Sequence, residues 1–187
     1  MSATALDEDV VRVGLVSDTH GLLRPEAIAS LAGSDAIVHA GDIGSAVVLE
    51  ALAQIAPVHA VCGNNDRDAW ASALPETVTI DIGGRRLYVL HDVSEMRIDP
   101  RSMNIDVVVS GHSHRPRCER RNGVLFVNPG SAGPRRFSLP VCVAQLYIRA
   151  NHVDAAIVTL DVTPPRSRAT RASMPRRASM PRRASSP

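Results

Sequence analysis

Five times along this chain an apolar run stops at a short polar cluster. Val10 to Val16 stops at Asp18-Thr19-His20, Ala36 to His39 at Gly41-Asp42, and Val58 to Val61 at Gly63-Asn64-Asn65-Asp66. Further on, Arg86 to Leu90 stops at His91-Asp92, and Ile105 to Val109 at Gly111-His112-Ser113-His114. Largely apolar, β-branched runs of this length, separated in the first half by helix signals, predict the buried strands of an α/β domain. In such sheets ligands collect at the carboxyl ends of the strands, and the glycines at 21, 41, 63 and 111 let the chain turn sharply there.

Between the first runs the helix signals are local. Pro25 stands at a first helical position, Ile28 and Leu31 share one side, and Gly33 is a stop. Ser45 caps a second helix whose residues Val47, Val48, Ala51, Leu52 and Ile55 form one apolar face, and Pro57 closes it. Downstream the grammar changes to strands. Thr77 to Ile82 alternates, Gly83-Gly84 signals a hairpin, and Val124 to Val127, Val141 to Ile148 and Val153 to Leu160 follow with short turns between them. A first half of βα units and a second half of mostly β segments predicts two packed sheets with helices outside.

The 187 residues suit one domain large enough to bury a core without a disulfide or structural metal. The nominal charge of +2 hides an asymmetry, because every basic residue is Arg and seven of them follow Thr163, where no acid occurs. The body is left with 14 Arg against 19 Asp and Glu, a net of −5. That acidic body argues against a broad nucleic-acid track. Residues 10–162 are expected to form the domain, 1–9 a flexible N-terminus, and 163–187 a disordered tail in which Arg-Ala-Ser-Met-Pro-Arg recurs. The tail offers counterion-release contact with anions, but it has no aromatic residue for base stacking. No apolar run approaches a membrane span and no leader pattern opens the chain, so a cytoplasmic location without membrane contact is expected. Cys62, Cys118 and Cys142 lack metal-ligand spacing and read as reduced, buried thiols.

The clusters supply hard oxygen and imidazole nitrogen, enough for two metal ions. They suit manganese, magnesium, nickel, iron or zinc rather than copper(I) or an iron–sulfur cluster. Residues two apart at the end of an extended segment, as in Asp18/His20 and His112/His114, can reach one site or two adjacent ones.

Asp-x-His, Gly-Asp, Gly-Asn-x-Asp, a lone His after a strand, and Gly-His-x-His, in that order, resemble the calcineurin-like metallophosphoesterase superfamily. The short length, Gly63-Asn64-Asn65-Asp66 and Asn128-Pro129-Gly130-Ser131 resemble its small single-domain bacterial and archaeal phosphodiesterase branch. The resemblance covers roughly residues 11–161 and implies a four-layer α/β/β/α sandwich. It places Asp18, His20 and His114 on one metal and Asn64, His91 and His112 on the other, with Asp42 bridging. It also implies a metal-dependent phosphodiesterase working on a small phosphate ester, by in-line attack of a metal-bridging hydroxide on phosphorus. Manganese is the ion expected first.

Two positions depart from that pattern. Asn65 stands where many members of the superfamily carry a histidine able to protonate the leaving group, and a neutral amide cannot do so. Asp92 follows His91 where glycine is usual. Asn65 and Asp66 are the expected catalytic contributors, with Asp66 either orienting the site or capping the next segment. His39, His59 and His152 read as structural histidines, Asn128 as a turn residue near the site, and Arg135 and Arg136 as an exposed loop face with substrate phosphate as the alternative contact. Two further readings remain at this level. One is a catalytically weak protein-binding scaffold similar to the metallophosphoesterase-fold subunit of the retromer coat, and the other is a nuclease suggested by the tail.

Overall fold

A computed structural model of the chain describes residues 10–136 and 138–162; the expected flexible N-terminus and the expected Arg-rich tail lie outside them. Its elements run β1 (Val11–Val16), α1 (Pro25–Leu31), β2 (Ala36–His39), α2 (Ala46–Ala53), β3 (Val58–Ala60), β4 (Thr77–Ile82), β5 (Arg85–Leu90) and β6 (Val107–Val109). They continue with β7 (Arg117–Arg121), β8 (Val124–Asn128), β9 (Cys142–Arg149) and β10 (His152–Thr159). One sheet has the order β10-β9-β1-β2-β3 and the other β4-β5-β6-β8-β7.

β1 pairs in parallel with β2 and antiparallel with β9, so it is central, and its side chains are buried on both faces. Val13 and Leu15 point between the sheets, against Val89, Val107 and Leu125, while Val16 packs on Leu31 and Leu52 of the two helices. This double burial is why the segment reads as an unbroken apolar run rather than an alternating one. β5, β6 and β8 form the parallel centre of the second sheet, and β4, which enters the Gly83-Gly84 turn from which β5 returns, is its antiparallel edge. Pro25 opens α1, and the Ser45 hydroxyl accepts from the Val47 N–H at the start of α2. No helix among the described residues is long and apolar enough to cross a membrane.

The architecture is the α/β/β/α sandwich with its fourth layer reduced. Tyr88, Leu90, Ile105, Val108 and Val124, on the outer face of the second sheet, are packed against Met96 and Ile98, from a segment whose only helical element is a 3-10 turn, Val93–Glu95. Pro100 and the left-handed Asn104 (φ 54°) interrupt that segment, so it covers the sheet as irregular chain. β7 is a strand that the periodicity does not predict. It lies at the edge, almost wholly exposed, with charged residues on both faces and therefore no apolar alternation. Its signal is the turn after it, Asn122-Gly123, where both residues have positive φ (50° and 88°) as a two-residue hairpin turn requires. The exposure of β7 also corrects the reading of the cysteines. All three are free, but only Cys142 is buried; Cys118 on β7 is exposed and Cys62 half-buried.

Candidate metal centre

The polar clusters follow the C-terminal ends of β1, β2, β3, β5 and β6, and the loops are laced together by main-chain hydrogen bonds. The Asp18 N–H donates to the Gly41 carbonyl at 3.0 Å, His20 N–H to Asp42 carbonyl at 2.9 Å, and Gly111 N–H to His91 carbonyl at 2.9 Å. The two sheets meet where the His112 N–H reaches Asp18 Oδ2 at 3.1 Å. Asp18, His20, Asp42, His112 and His114 all have φ between 47° and 65°, the left-handed region that side chains disfavour. Each such residue costs about 1 kcal/mol or more and persists only where its surroundings over-determine it. Strain gathered on candidate ligands is an observation that neither composition nor periodicity contains.

Three groups form one half of the centre. Asp18 Oδ1 lies 3.3 Å from His114 Nε2, and His20 Nε2 lies 3.4 Å from that same nitrogen, with the two rings stacked at 5.3 Å. Asp18 Oδ2 accepts from the Ser17 hydroxyl at 2.6 Å, but Asp18 Oδ1 and His114 Nδ1 are buried with no hydrogen-bond partner. Burial pushes the Asp18 carboxyl up to about 6, against the pull of Ser17. Burial, with Arg136 and His20 adding to it, pushes His114 down to about 4, and burial also lowers His20. A carboxylate oxygen with no hydrogen-bond partner and two imidazole nitrogens converge here, and a divalent cation is what such a set fits.

The other half is organised by neighbours that choose the tautomers. His91 Nδ1 donates to the Ala40 carbonyl at 2.7 Å, which leaves Nε2 facing Asn64 Oδ1 at 3.1 Å and Asp42 Oδ2 at 3.5 Å. His112 places Nδ1 3.1 Å from Asn64 Oδ1 and Nε2 3.5 Å from Asp92 Oδ2. Asp92 is itself fixed by the Ser94 N–H and hydroxyl. The residue that departs from the family pattern therefore faces His112, the arrangement by which carboxylates orient metal-binding imidazoles. Asp42 stands between the halves, Oδ2 being 3.9 Å from His20 Nε2 and 3.5 Å from His91 Nε2. Burial works against its charge, yet the hydrogen bonds from His91 and Asn65 hold it well below the usual carboxylate range. His91 is raised in turn, burial being outweighed by Asp42 and the Ala40 carbonyl. Asp18, His20 and His114 present one group of mutually close donor atoms and Asp18, Asp42 and His91 a second, so Asp18 touches both halves.

Asn65 and Asp66 are placed differently from one another. The Asn65 N–H and side-chain amide both bind Asp42, at 2.9 and 2.6 Å. Both carboxylate oxygens of Asp66 are taken up by main-chain N–H groups of Ile43, Gly44 and Gly63, at 2.8 to 3.0 Å. Asp66 thus ties the loop after β2 to the loop after β3 and positions the site instead of reacting in it; the next helical turn is preceded by Asp68, not capped by Asp66. Asn128 donates to the Gly111 carbonyl at 2.6 Å and supports the last cluster from behind. His39 is structural and close. The Thr19 hydroxyl donates to the Ile43 carbonyl at 2.8 Å, so its oxygen accepts from His39 Nε2 at 3.0 Å, and Thr19 is held between Asp18 and His20. Ser17, which local pattern did not single out, holds the Asp18 side chain, and the Ser131 hydroxyl donates to the Asp18 carbonyl at 2.9 Å.

Metal-free protein should lose stability in mild acid. Burial pushes His39 down to about 3 and His114 to about 4, so between about 6.5 and 4 the unfolded chain binds more protons than the folded one, and stability falls as pH falls. Asp18 acts in the opposite sense, since its raised carboxyl takes up a proton in the folded state between about 4 and 6 and offsets part of the loss. A fall in melting temperature of about 5 °C or more between pH 7 and pH 4.5 is expected. His39→Gln keeps a donor to Thr19 and should flatten that fall; an unchanged slope would show that His39 is not its cause.

The profile of the Calcineurin-like phosphoesterase superfamily domain matches residues 11–151. A probable metallophosphoesterase of Methanothermobacter thermautotrophicus is 32% identical over 158 residues, spanning 78% of this chain and 91% of that protein. A phosphodiesterase of Methanocaldococcus jannaschii is 28% identical over 140 residues, spanning 64% of this chain and 83% of that one. The structure of vacuolar protein sorting 29 from Cryptosporidium parvum superposes with a TM-score of 0.65 at 21% identity, covering 80% of this chain and 97% of that one. With the domain profile spanning β1 to the end of β9 and a relative of nearly full length, this chain belongs to the calcineurin-like phosphoesterase superfamily.

Proposed function

We propose that the protein hydrolyses small phosphodiesters with two divalent ions, manganese the first to be tried. Asp18, His20 and His114 would hold one ion, Asn64, His91 and His112 the other, and Asp42 both. The observation that carries this reading is the unpartnered, buried Asp18 Oδ1 beside two imidazole nitrogens that face each other at 3.4 Å. Ions bound there supply Lewis acidity toward phosphoryl oxygens and a hydroxide nucleophile at neutral pH. The chain's own part is orientation: Ala40 and Asp92 select the imidazole nitrogens presented, and Asn65 clamps Asp42. A cavity of about 720 Å³ borders Asn64, His91 and His112 and has room for the alcohol portion of a small ester. The name of the phosphodiesterase relative supports diesters over monoesters. The test is a turnover screen of phosphate mono- and diesters against several divalent ions, with metal content measured on the protein as purified. Absence of metal-stimulated turnover across the panel would sink the reading.

Position 65 gives a sharper check. Asn65→His introduces a group able to donate a proton to a leaving alkoxide, at the cost of an amide bond to Asp42. The ratio of the rate on an alkyl ester to that on an activated aryl ester should rise about tenfold. An unchanged ratio would mean that position 65 lies away from the leaving group.

A further inference from the structure

We propose that Arg136 is the phosphoryl-binding residue of the centre, gripping the non-bridging oxygens of the bound ester from the side of His20; this rests on the phosphoesterase reading above. Its guanidinium lies 3.3 Å from His20 Nε2, the same nitrogen that faces His114 and Asp42. A metal ion and a guanidinium N–H cannot share one imidazole lone pair. A metal ion held by His20 would therefore displace the guanidinium from this nitrogen, while the chain keeps it nearby. The base of its loop is stapled to the rim: the Ala132 N–H donates to the Ser17 carbonyl at 3.1 Å, and the Gly133 carbonyl accepts from Arg24 at 3.3 Å. Gly133 packs so closely on the strand end that a side chain there would meet the Thr19 carbonyl oxygen at 2.4 Å.

Among the described residues no carboxylate lies within ion-pair distance of Arg136, unlike Arg85, Arg86, Arg117 and Arg121. An unneutralised cation above an already cationic metal centre is repelled when that centre is empty of anion. It becomes favourable when a phosphoryl group arrives, and more so as negative charge builds on the equatorial oxygens during displacement. The planar guanidinium fork matches two such oxygens, which an ammonium does not.

The experiment uses metal-loaded full-length protein with inorganic phosphate as the probe. Its binding is measured by calorimetry, beside kcat and KM on an aryl phosphodiester and the metal content. Arg136→Ala should weaken phosphate about tenfold or more and lower kcat/KM by about a hundredfold with metal stoichiometry unchanged. Arg136→Lys should recover part of the phosphate affinity and less of the rate. Unchanged phosphate affinity in Arg136→Ala, or a fall in metal content that accounts for the whole loss, would overturn the assignment. Wild-type protein that loads metal but neither binds phosphate nor turns over any ester would overturn the phosphoesterase reading itself and this assignment with it.

Discussion

Asp42→Asn should abolish turnover and lower metal content, with a rate loss of about a thousandfold or more, the scale on which removing a principal electrostatic element acts. Among the described residues Asp42 is the one carboxylate within 4 Å of imidazole nitrogens in both halves of the centre, His20 in one and His91 in the other. Its carboxyl is held ionised by His91 and Asn65 in spite of burial, so it offers a full negative charge where two divalent ions would repel each other most. The amide substitution removes that charge. It also sets a donor against the Asn65 amide, which already donates to Asp42 Oδ2 at 2.6 Å. Elemental analysis of the purified variant beside its rate on an aryl diester decides the matter, with circular dichroism to show that the fold is kept. Two ions and a wild-type rate in this variant would remove Asp42 from the bridging position.

Gly63→Ala should be nearly as damaging, for a steric reason. A Cβ at position 63 would sit 2.1 Å from the Asp42 main-chain nitrogen, 2.3 Å from Asp42 Oδ1 and 2.8 Å from Asp42 Cα. Two of these three contacts are main-chain atoms of Asp42, in a loop pinned on both sides, since the Ile43 and Gly44 N–H groups donate to Asp66 and the His20 N–H to the Asp42 carbonyl. The loop after β2 must therefore move, and the Asp42 carboxylate moves with it. Forced overpacking of this kind costs about 3 kcal/mol, and here it also misplaces a candidate ligand. Urea unfolding and metal titration should both report the change. Gly84→Ala is the control: nothing lies within 4 Å of the added Cβ, so only the left-handed φ of 74° is penalised, at about 1 kcal/mol, and metal binding should be untouched. If Gly63→Ala binds two ions as tightly as the wild type, close approach of the two loops is not what places Asp42.

Much of the frame is readable along the chain because its causes are local. The runs that became β1 and β2 are apolar because those strands are covered on both faces, and Pro25 and Ser45 mark the helix starts through their own backbone and hydroxyl chemistry. The seven candidate ligands follow strand ends in sequence; the structure gathers five of them, Asp18, His20, Asp42, His91 and His114, in two overlapping groups of close donor atoms, and Asn64 and His112 adjoin these through His91. β7 escapes notice because an exposed edge strand imposes no apolar period, and the thin outer layer over the second sheet escapes because irregular chain has no period at all. What the tertiary structure alone decided is which atom faces which. Asp92 sits beside His91 in sequence but orients His112. Asp66, next to two candidate site residues, spends its oxygens on the main chain of the neighbouring loop. Arg136 is more than a hundred residues from the histidine it covers. Such pairings arise when two sheets close on each other and distant loops are laced together. They depend on contacts between segments far apart in the chain, and no local spacing of residues records them.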